Sequence, residues 1–290
     1  MLVESIVRKI DSLPPLSTAA QLIQFMYHDD GLENLNVLRF IKIIESDALL
    51  TANILRMVNT PYYGFSKKIA SIAQAVSLFG IPKIYMLVVQ YAMAETLEAD
   101  ISLYGCSNTQ FNDICHLQSA LMMQWYSHIE LRDAQFISPL ALIMESGKLV
   151  VAQEIGVSQQ RSEFQEGFLT SDDTNKYEKD FIGVTSYFIT GLLFEHWNLE
   201  PIYVEILKYL DSPSYYHKTL DAKIEAYIQE IDVIRTAINP KEILTDESIQ
   251  KAAKKVEKLR HDREYFEKVA YRIRDAYNKK LEEDKEWFQQ

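Results

Sequence analysis

Residues 141–151, with the sequence ALIMESGKLVV, contain residue types from which a metal site could be built. An apolar stretch is followed by an acid, Glu145, and then by the pair Gly147-Lys148. Metal-dependent hydrolysis on a helical protein needs histidine and carboxylate ligands from several helices, with one coordination position left for water. This segment has no histidine, so it could belong to an active site, to the remnant of one, or to an ordinary helix end.

The 6 histidines of the chain do not form a known metal-binding pattern. No two are adjacent or four residues apart, and no His-Glu-x-x-His motif occurs. His116 lies in a long apolar segment and is the one best placed for a buried ligand. Its neighbour Cys115 would point about 100° away on a helix, so the two cannot bind one ion together. Alone, His116 is more typical of a hydrogen-bonded core histidine than of a metal ligand.

Patterns for other kinds of catalysis are also missing from the sequence. It has neither the Gly-x-Ser-x-Gly motif of a nucleophilic serine nor the phosphate-binding Gly-x-x-x-x-Gly-Lys-Ser/Thr motif. Cys106 and Cys115 stand in no context that would activate a thiol. Taken alone, the pair Gly147-Lys148 is therefore predicted to be a loosened helix position with an exposed lysine.

The composition limits the partners and the compartment. The chain has 290 residues, of which 48% are hydrophobic and 24% charged, as in a soluble globular protein. Its net charge of -11 disfavours binding to nucleic acid or to an anionic membrane surface, both of which attract basic proteins. Two cysteines are too few for a disulfide scaffold, and the first residues contain no apolar run typical of a signal peptide. These features predict a cytoplasmic protein without nucleic-acid or membrane partners.

The elements that must position these residues are helices. Apolar residues recur at intervals of three and four in nearly every segment, which predicts an all-α, multi-helix bundle of two subdomains. We expect an N-terminal helical part (1–105), a second helical part (106–240) and a C-terminal helical extension (241–290). Residues 158–180 are polar and weakly periodic and are predicted to be a partly flexible surface insertion. The helices predicted in the second part cover residues 108–129, 139–155, 177–197, 200–210 and 220–237.

The C-terminal segment, residues 245–290, has an apolar seam with alternating spacings of three and four residues, and Arg263 is its one polar member. Two structures fit this pattern: a long helix or helical hairpin packed on the body of the same chain, and a helix that pairs with another chain. The second would make a homodimer through residues 245–290. The seam consists of Ile249, Ala252, Val256, Leu259, Arg263, Phe266, Ala270, Ile273 and Tyr277.

Three motifs in the first half follow one another with natural spacing: LPPLSTAAQLIQFM, IKIIESDALLTANILRMVNTPYYGF and IASIAQAVSLFGIPKIYML. Together they resemble the HDOD domain, the HD-related output domain of bacterial signalling proteins. The resemblance covers roughly residues 10–235. The chain departs from the family pattern at Ala48, where the family usually has proline, and at the turn Asn59-Thr60, which stands for an Asn-Ser-like pair.

The resemblance implies an all-helical fold distantly related to the HD-type metal phosphohydrolases. It also aligns six positions of this chain with the metal ligands of that superfamily, and Asp232 aligns loosely with a last acid. The histidine and the aspartate of the superfamily's His-Asp pair align with Met144 and Glu145 of this chain. Other histidine ligands of the superfamily align with residues of this chain that are not histidine. The six positions are His116, Met144, Glu145, Ser186, Leu210 and Asp211.

The side chains at these positions make a working metal centre a poor expectation. A thioether such as that of Met144 is a weak ligand for hard divalent ions, and Ser186 and Leu210 replace two further donors. The resemblance therefore implies a non-catalytic signalling protein, without metal or cofactor, that binds a protein partner. Aromatic residues in PYYGF and SPSYYH and the C-terminal seam are candidate contacts.

Two alternatives remain open from the sequence. One is a binding module for a small regulatory nucleotide, with His116, Glu145 and Lys148 forming a vestigial pocket. The other is an atypical metal-dependent phosphohydrolase that uses unfamiliar ligands.

Overall fold

The protein is helical throughout the residues that its computed structural model describes, which are 2–211 and 221–288. Within these ranges there is no strand, and one isolated bridge joins Ile238 to Ile243. The prediction of an all-α multi-helix fold is confirmed. The segment SPSYYH (residues 212–217), predicted to offer exposed aromatic residues, lies outside the described ranges.

Within residues 2–105, the structure has six α-helices and two 3-10 helices. Asp47 caps α4 by accepting a hydrogen bond from the amide of Leu50 at 3.0 Å, and Gly80, with φ of 77°, ends α5. Pro82 follows in the first turn of α6, where its missing N–H costs no hydrogen bond. The α-helices are α1 (Leu2–Asp11), α2 (Thr18–Asn34), α3 (Val37–Glu45), α4 (Ala48–Val58), α5 (Ile72–Phe79) and α6 (Ile81–Thr96), and the 3-10 helices are Pro61–Tyr63 and Ile101–Tyr104.

The second part is built around α7 (Asn108–Tyr126), which is buried along most of its length. It packs against α8 (Leu131–Ile143), α14 (Ala222–Ala237) and the C-terminal helix α16 (Arg263–Phe288). Ser107 and Gln110 close its N-terminus with a reciprocal capping box, which satisfies two backbone amides. Its helices are α7 (Asn108–Tyr126), α8 (Leu131–Ile143), α9 (Gly147–Ile155), α10 (Arg161–Thr170), α11 (Thr174–Ile182), α12 (Ser186–His196), α13 (Pro201–Asp211) and α14 (Ala222–Ala237).

Three predictions for this part, two helices and one flexible insertion, differ from the structure. The helix predicted over 139–155 is two helices, α8 and α9, because the chain turns at residues 144–146 and α8 begins before Pro139. The helix predicted over 177–197 is broken at Gly183, whose φ of 102° a residue with a side chain rarely adopts. The flexible insertion predicted over 158–180 is instead α10 and α11, since Phe164 and Phe168 are buried and fix α10 on the body.

The C-terminal segment forms a helical hairpin of α15 (Asp246–Lys258) and α16 (Arg263–Phe288). Its helices pack against each other, and they contact α14, α7 and the 3-10 helix Pro61–Tyr63. Seam residues such as Val256, Phe266 and Ala270 are buried in the chain's own body. The hairpin packed on the same chain is therefore the arrangement observed. A homodimer formed by this seam would require the hairpin to leave that position.

The stretch Leu131–Ile155 is apolar and long enough, by composition, to cross a membrane, but 83% of its most apolar window is buried inside the protein. The pair α5 and α6 is also apolar and is bent by 119°. Both stretches pack as core helices.

Candidate functional site

Lys148 lies at the centre of a buried ionic cluster beneath the turn between α8 and α9. Its ammonium Nζ is 3.0 Å from Oε2 of Glu145 and 3.4 Å from Oε1 of Glu178. It also donates a hydrogen bond to Oγ of Ser186 at 2.6 Å. Lys148 is only 3% exposed, so the prediction of an exposed lysine is wrong. An unpaired buried ammonium is strongly unfavourable, and the two carboxylates explain why this one is tolerated.

Glycine at position 147 allows the two helices that carry the cluster to meet. A Cβ atom on Gly147 would stand 2.0 Å from the carbonyl oxygen of Ser186 and 2.8 Å from the amide of Thr190, so α9 could not start here with a larger residue. The amide of Gly147 donates to Oγ1 of Thr190 at 2.8 Å, and this hydroxyl donates to the carbonyl of Met144 at 2.8 Å. The Gly-Lys pair is thus explained by close packing of α9 on α12.

Glu145 is completely buried and its carboxylate has three kinds of partner. Gln118 donates an amide hydrogen bond to Oε1 at 2.9 Å, and the hydroxyl of Tyr187 donates to the same oxygen at 3.1 Å. Lys148 pairs with the other oxygen. The ammonium also lies over the rings of Tyr104 and Tyr187, 5.2 and 5.1 Å from their centroids, where aromatic faces attract cations.

The electrostatics of the cluster are those of a fixed ion pair. Burial acts to raise the pKa of Glu145, but the Lys148 ammonium and the hydrogen bonds hold it below its usual value. Burial acts to lower the pKa of Lys148, and the charges of Glu145 and Glu178 raise it above its usual value. Both groups are therefore charged at neutral pH, and neither has the displaced pKa of an acid–base catalyst.

Glu178 is a member of this cluster that sequence reasoning missed. It is buried on α11 and accepts hydrogen bonds at Oε2 from both the amide and the hydroxyl of Ser186, each at 2.8 Å. It lies in the segment predicted to be a flexible insertion. The sequence contained a usable indication: Asp173 precedes Tyr177, Phe181 and Ile182 at the spacing of a capped helix with an apolar face.

The environment of His116 differs from that of Glu145 and Lys148. It is buried on α7, and its Nδ1 is hydrogen-bonded to the hydroxyl of Tyr63 at 2.9 Å. Burial, with the charges of Lys83 and Lys280 nearby, lowers the pKa of His116 to about 3, so the ring is neutral. Among the described residues, no hydrogen bond or ion pair joins it to Glu145 or Lys148. Of the three residues predicted to form one nucleotide pocket, Glu145 and Lys148 are paired, whereas His116 is hydrogen-bonded to Tyr63 instead.

The remaining aligned positions also have structural partners. Met144 is buried at the end of α8. Leu210 packs against the core, and Asp211 pairs with Lys179 at 3.0 Å and accepts from the amide of Thr185 at 2.6 Å.

A cavity of about 540 Å³ opens beside Leu210 and Asp211. Its lining contains equal numbers of acidic and basic side chains. Several of these side chains form ion pairs, for example Arg235 and Lys255, which both pair with Asp232. The balanced charge gives no preference for an anion.

The side chains at the aligned positions, all of them among the described residues, do not form a metal-binding cluster. Within residues 2–211 and 221–288, no three His, Cys, Asp or Glu side chains come together in a way that could hold a metal ion. The acid best placed for a metal, Glu145, is already neutralised by Lys148, and Met144 and Leu210 supply no hard donor. The residues present do not fit the dinuclear metal centre that the HD resemblance would imply.

Several solved helical proteins, some provisionally named as phosphohydrolases, share this architecture. A protein of Shewanella amazonensis SB2B that carries a provisional name as a phosphohydrolase matches with a TM-score of 0.65 at 16% identity, covering 93% of this chain and 97% of that one. A protein of Marinobacter aquaeolei VT8, provisionally named as a signal transduction protein, matches at 0.64 and 19% identity, covering 95% of this chain and 62% of its own. At these identities the likeness shows the fold alone.

A family model of the HDOD domain matches residues 13–213, and the chain therefore belongs to the HDOD domain family. An HDOD domain protein of unknown function from Geobacter sulfurreducens also has this fold, with a TM-score of 0.59 at 12% identity, covering 92% of this chain and 87% of its own. No curated protein sequence matched the chain.

Proposed function

We propose that this HDOD protein is a non-catalytic regulatory protein that acts through contacts with a protein partner. The observation that carries the proposal is the buried Lys148 ammonium between Glu145 and Glu178, beside Ser186. Glu145 and Ser186 are positions that the resemblance aligns with metal ligands. In this chain their oxygens face a cation that is part of the protein.

The charge of Lys148 works against a metal ion at this place. A divalent cation would meet a fixed ammonium at a site of low dielectric, where like charges repel far more strongly than in water. The cluster is also closed, since Glu145, Lys148 and Glu178 are all buried, and hydrolysis needs access for both substrate and water.

A direct test compares the response of two proteins to manganese. Wild-type protein should show the same melting temperature with and without MnCl₂, because Lys148 holds the carboxylates. In Lys148→Ala, the two carboxylates and Ser186 lose their cation, and Mn²⁺ should raise the melting temperature. A rise for wild-type protein would contradict the proposal, whatever the variant does.

Exposed apolar side chains on α3 and α4 support the part of the proposal that concerns a partner. Leu38 is 72% exposed and Leu49 is 70% exposed, each in the first turn of its helix. Phe25 on α2 is 65% exposed. Burial of an exposed apolar side chain against a partner removes its surface from water, which favours association. The surface formed by α2, α3 and α4 is therefore our candidate contact surface.

The partner can be tested with variants that keep the fold. Aspartate is favourable in the first turn of a helix, so Leu38→Asp with Leu49→Asp should leave stability unchanged. Full-length wild-type protein, the double variant and a control, Val157→Asp, at a side chain 90% exposed on another surface, are immobilised and exposed to native lysate. One protein should be retained by wild type and control and lost with the double variant. Identical recovery from all three would remove these helices as the contact surface.

A further inference from the structure

A cavity of about 840 Å³ lies between the C-terminal end of α6 and the N-terminal half of α7. Its volume falls in the range of small-molecule sites, which are about 300–1,000 Å³. Ser146 and Leu149 from the α8–α9 turn and α9 also line it, so the cavity adjoins the buried cluster without including its charged side chains. The residues that form the cavity therefore come from both the first and the second part of the chain.

The walls of this cavity are mainly apolar. The apolar part of the lining includes Met93 on α6, Leu97 directly after that helix, Phe111 on α7 and Leu149 on α9. The methionine side chain is flexible and adapts readily to the shape of an apolar ligand. The polar groups of the lining include side-chain amides and hydroxyls. Among them is the amide of Asn112, which can orient a ligand by hydrogen bonds.

The charge of the lining disfavours negatively charged ligands. Two acids, Glu98 and Asp100, belong to the lining, and none of its members is basic. Asp100 pairs with Arg161 at 2.9 Å, whereas Glu98 is exposed at the rim. A carboxylate next to an apolar cavity repels phosphates and sulfonates and accepts neutral or cationic molecules. Nucleotides, the ligands expected at HD-type sites, do not fit this lining.

We propose that the cavity between α6 and α7 binds a small apolar molecule that carries no negative charge. The site is distinct from the Glu145–Lys148 cluster and from the exposed surface of α2, α3 and α4. The proposal therefore stands or fails independently of the proposed function.

The test uses two probes that share one ring system. N-phenyl-1-naphthylamine is neutral, and 8-anilino-1-naphthalenesulfonate is the same molecule with a sulfonate group. By equilibrium dialysis against the full chain, the neutral probe should bind with a Kd of about 10 to 100 µM, as expected for its number of atoms. The sulfonate should bind about tenfold more weakly.

Variants locate the binding. Ala94 is an exposed alanine at the mouth of the cavity, and Ala94→Trp should fill the mouth and weaken the neutral probe at least about tenfold. Ala52→Trp, at an exposed alanine on α4, is the matched control and should leave binding unchanged. Glu98→Lys should bring the affinity for the sulfonate to within about threefold of that for the neutral probe.

Two results would overturn the proposal. The first is the absence of saturable binding of the neutral probe. The second is equal binding to wild-type protein and to Ala94→Trp, which would mean that the probe binds elsewhere.

Discussion

Replacing Lys148 with methionine removes the charge of the buried cluster while keeping most of the side-chain volume. Glu145 and Glu178 then remain buried without the ammonium that lies 3.0 and 3.4 Å from them. Breaking a buried ion pair by removing one partner costs about 3–5 kcal/mol, because the other charge is left uncompensated. A domain has about 5–15 kcal/mol of stability in total, so Lys148→Met should lose a large part of it.

The pH dependence of this loss follows from the pKa of Glu145. In the wild-type protein that pKa is held below its unfolded value, so Glu145 stabilises the fold above the unfolded pKa and loses this contribution as the pH falls. Without Lys148, burial is the largest remaining influence and raises the pKa of Glu145. A raised carboxyl pKa favours folding at low pH and disfavours it as the pH rises. The difference in stability between the two proteins should therefore shrink on acidification.

The assay is urea unfolding followed by circular dichroism at about pH 8 and about pH 5. Lys176→Met is the matched control, because Lys176 pairs with Asp180 at an exposed site and the change should have no measurable effect. The reasoning would be refuted if Lys148→Met were as stable as the control, or if its loss of stability were the same at both pH values.

Three further substitutions test other parts of the structure. Gly147→Ala should cost about 1–3 kcal/mol in urea unfolding, since its Cβ would overlap the Ser186 carbonyl; unchanged stability would contradict the close packing of α9 on α12. Ala270→Asp should lower the unfolding free energy by about 3 kcal/mol or more, since the residue is buried within its own chain. This loss should be the same at every protein concentration, and a loss confined to low concentration would instead indicate a dimer. Burial raises the pKa of Glu230 to about 7 despite its hydrogen bond to His261, so Glu230 favours folding at low pH and loses this contribution as the pH rises through 7. Relative to Glu230→Gln, wild-type protein should lose on the order of 2–3 kcal/mol between about pH 5 and pH 8, and parallel pH profiles would contradict this.

The sequence was sufficient for the fold class because helical periodicity and three ordered motifs do not depend on distant contacts. It failed where tertiary contacts decide the local structure. The chain turns at residues 144–146 just before Gly147, and the close contact of Gly147 with α12, which the sequence does not show, explains why α9 starts there. Residues 158–180 are polar on average, but Phe164 and Phe168 attach them to the body.

For the candidate site, the alignment identified positions but not which side chains meet. Glu145, Lys148 and Ser186 do meet, and the partner that completes their cluster, Glu178, comes from a segment with no motif. His116 was grouped with them because of its alignment, yet its hydrogen bond goes to Tyr63 in the first part of the chain. Sequence alone cannot give these pairings, since they depend on how α7, α11 and α12 pack.

We propose that Lys148 provides the cation of this site and that the protein performs no metal-dependent hydrolysis. Elemental analysis of full-length protein purified from metal-supplemented cells, followed by a phosphodiesterase assay on the same sample, tests it most directly. We expect less than about a tenth of an equivalent of Mn, Fe, Ni or Zn and no turnover after these metals are added. One equivalent or more of bound metal, together with turnover that Lys148→Met alters, would contradict it.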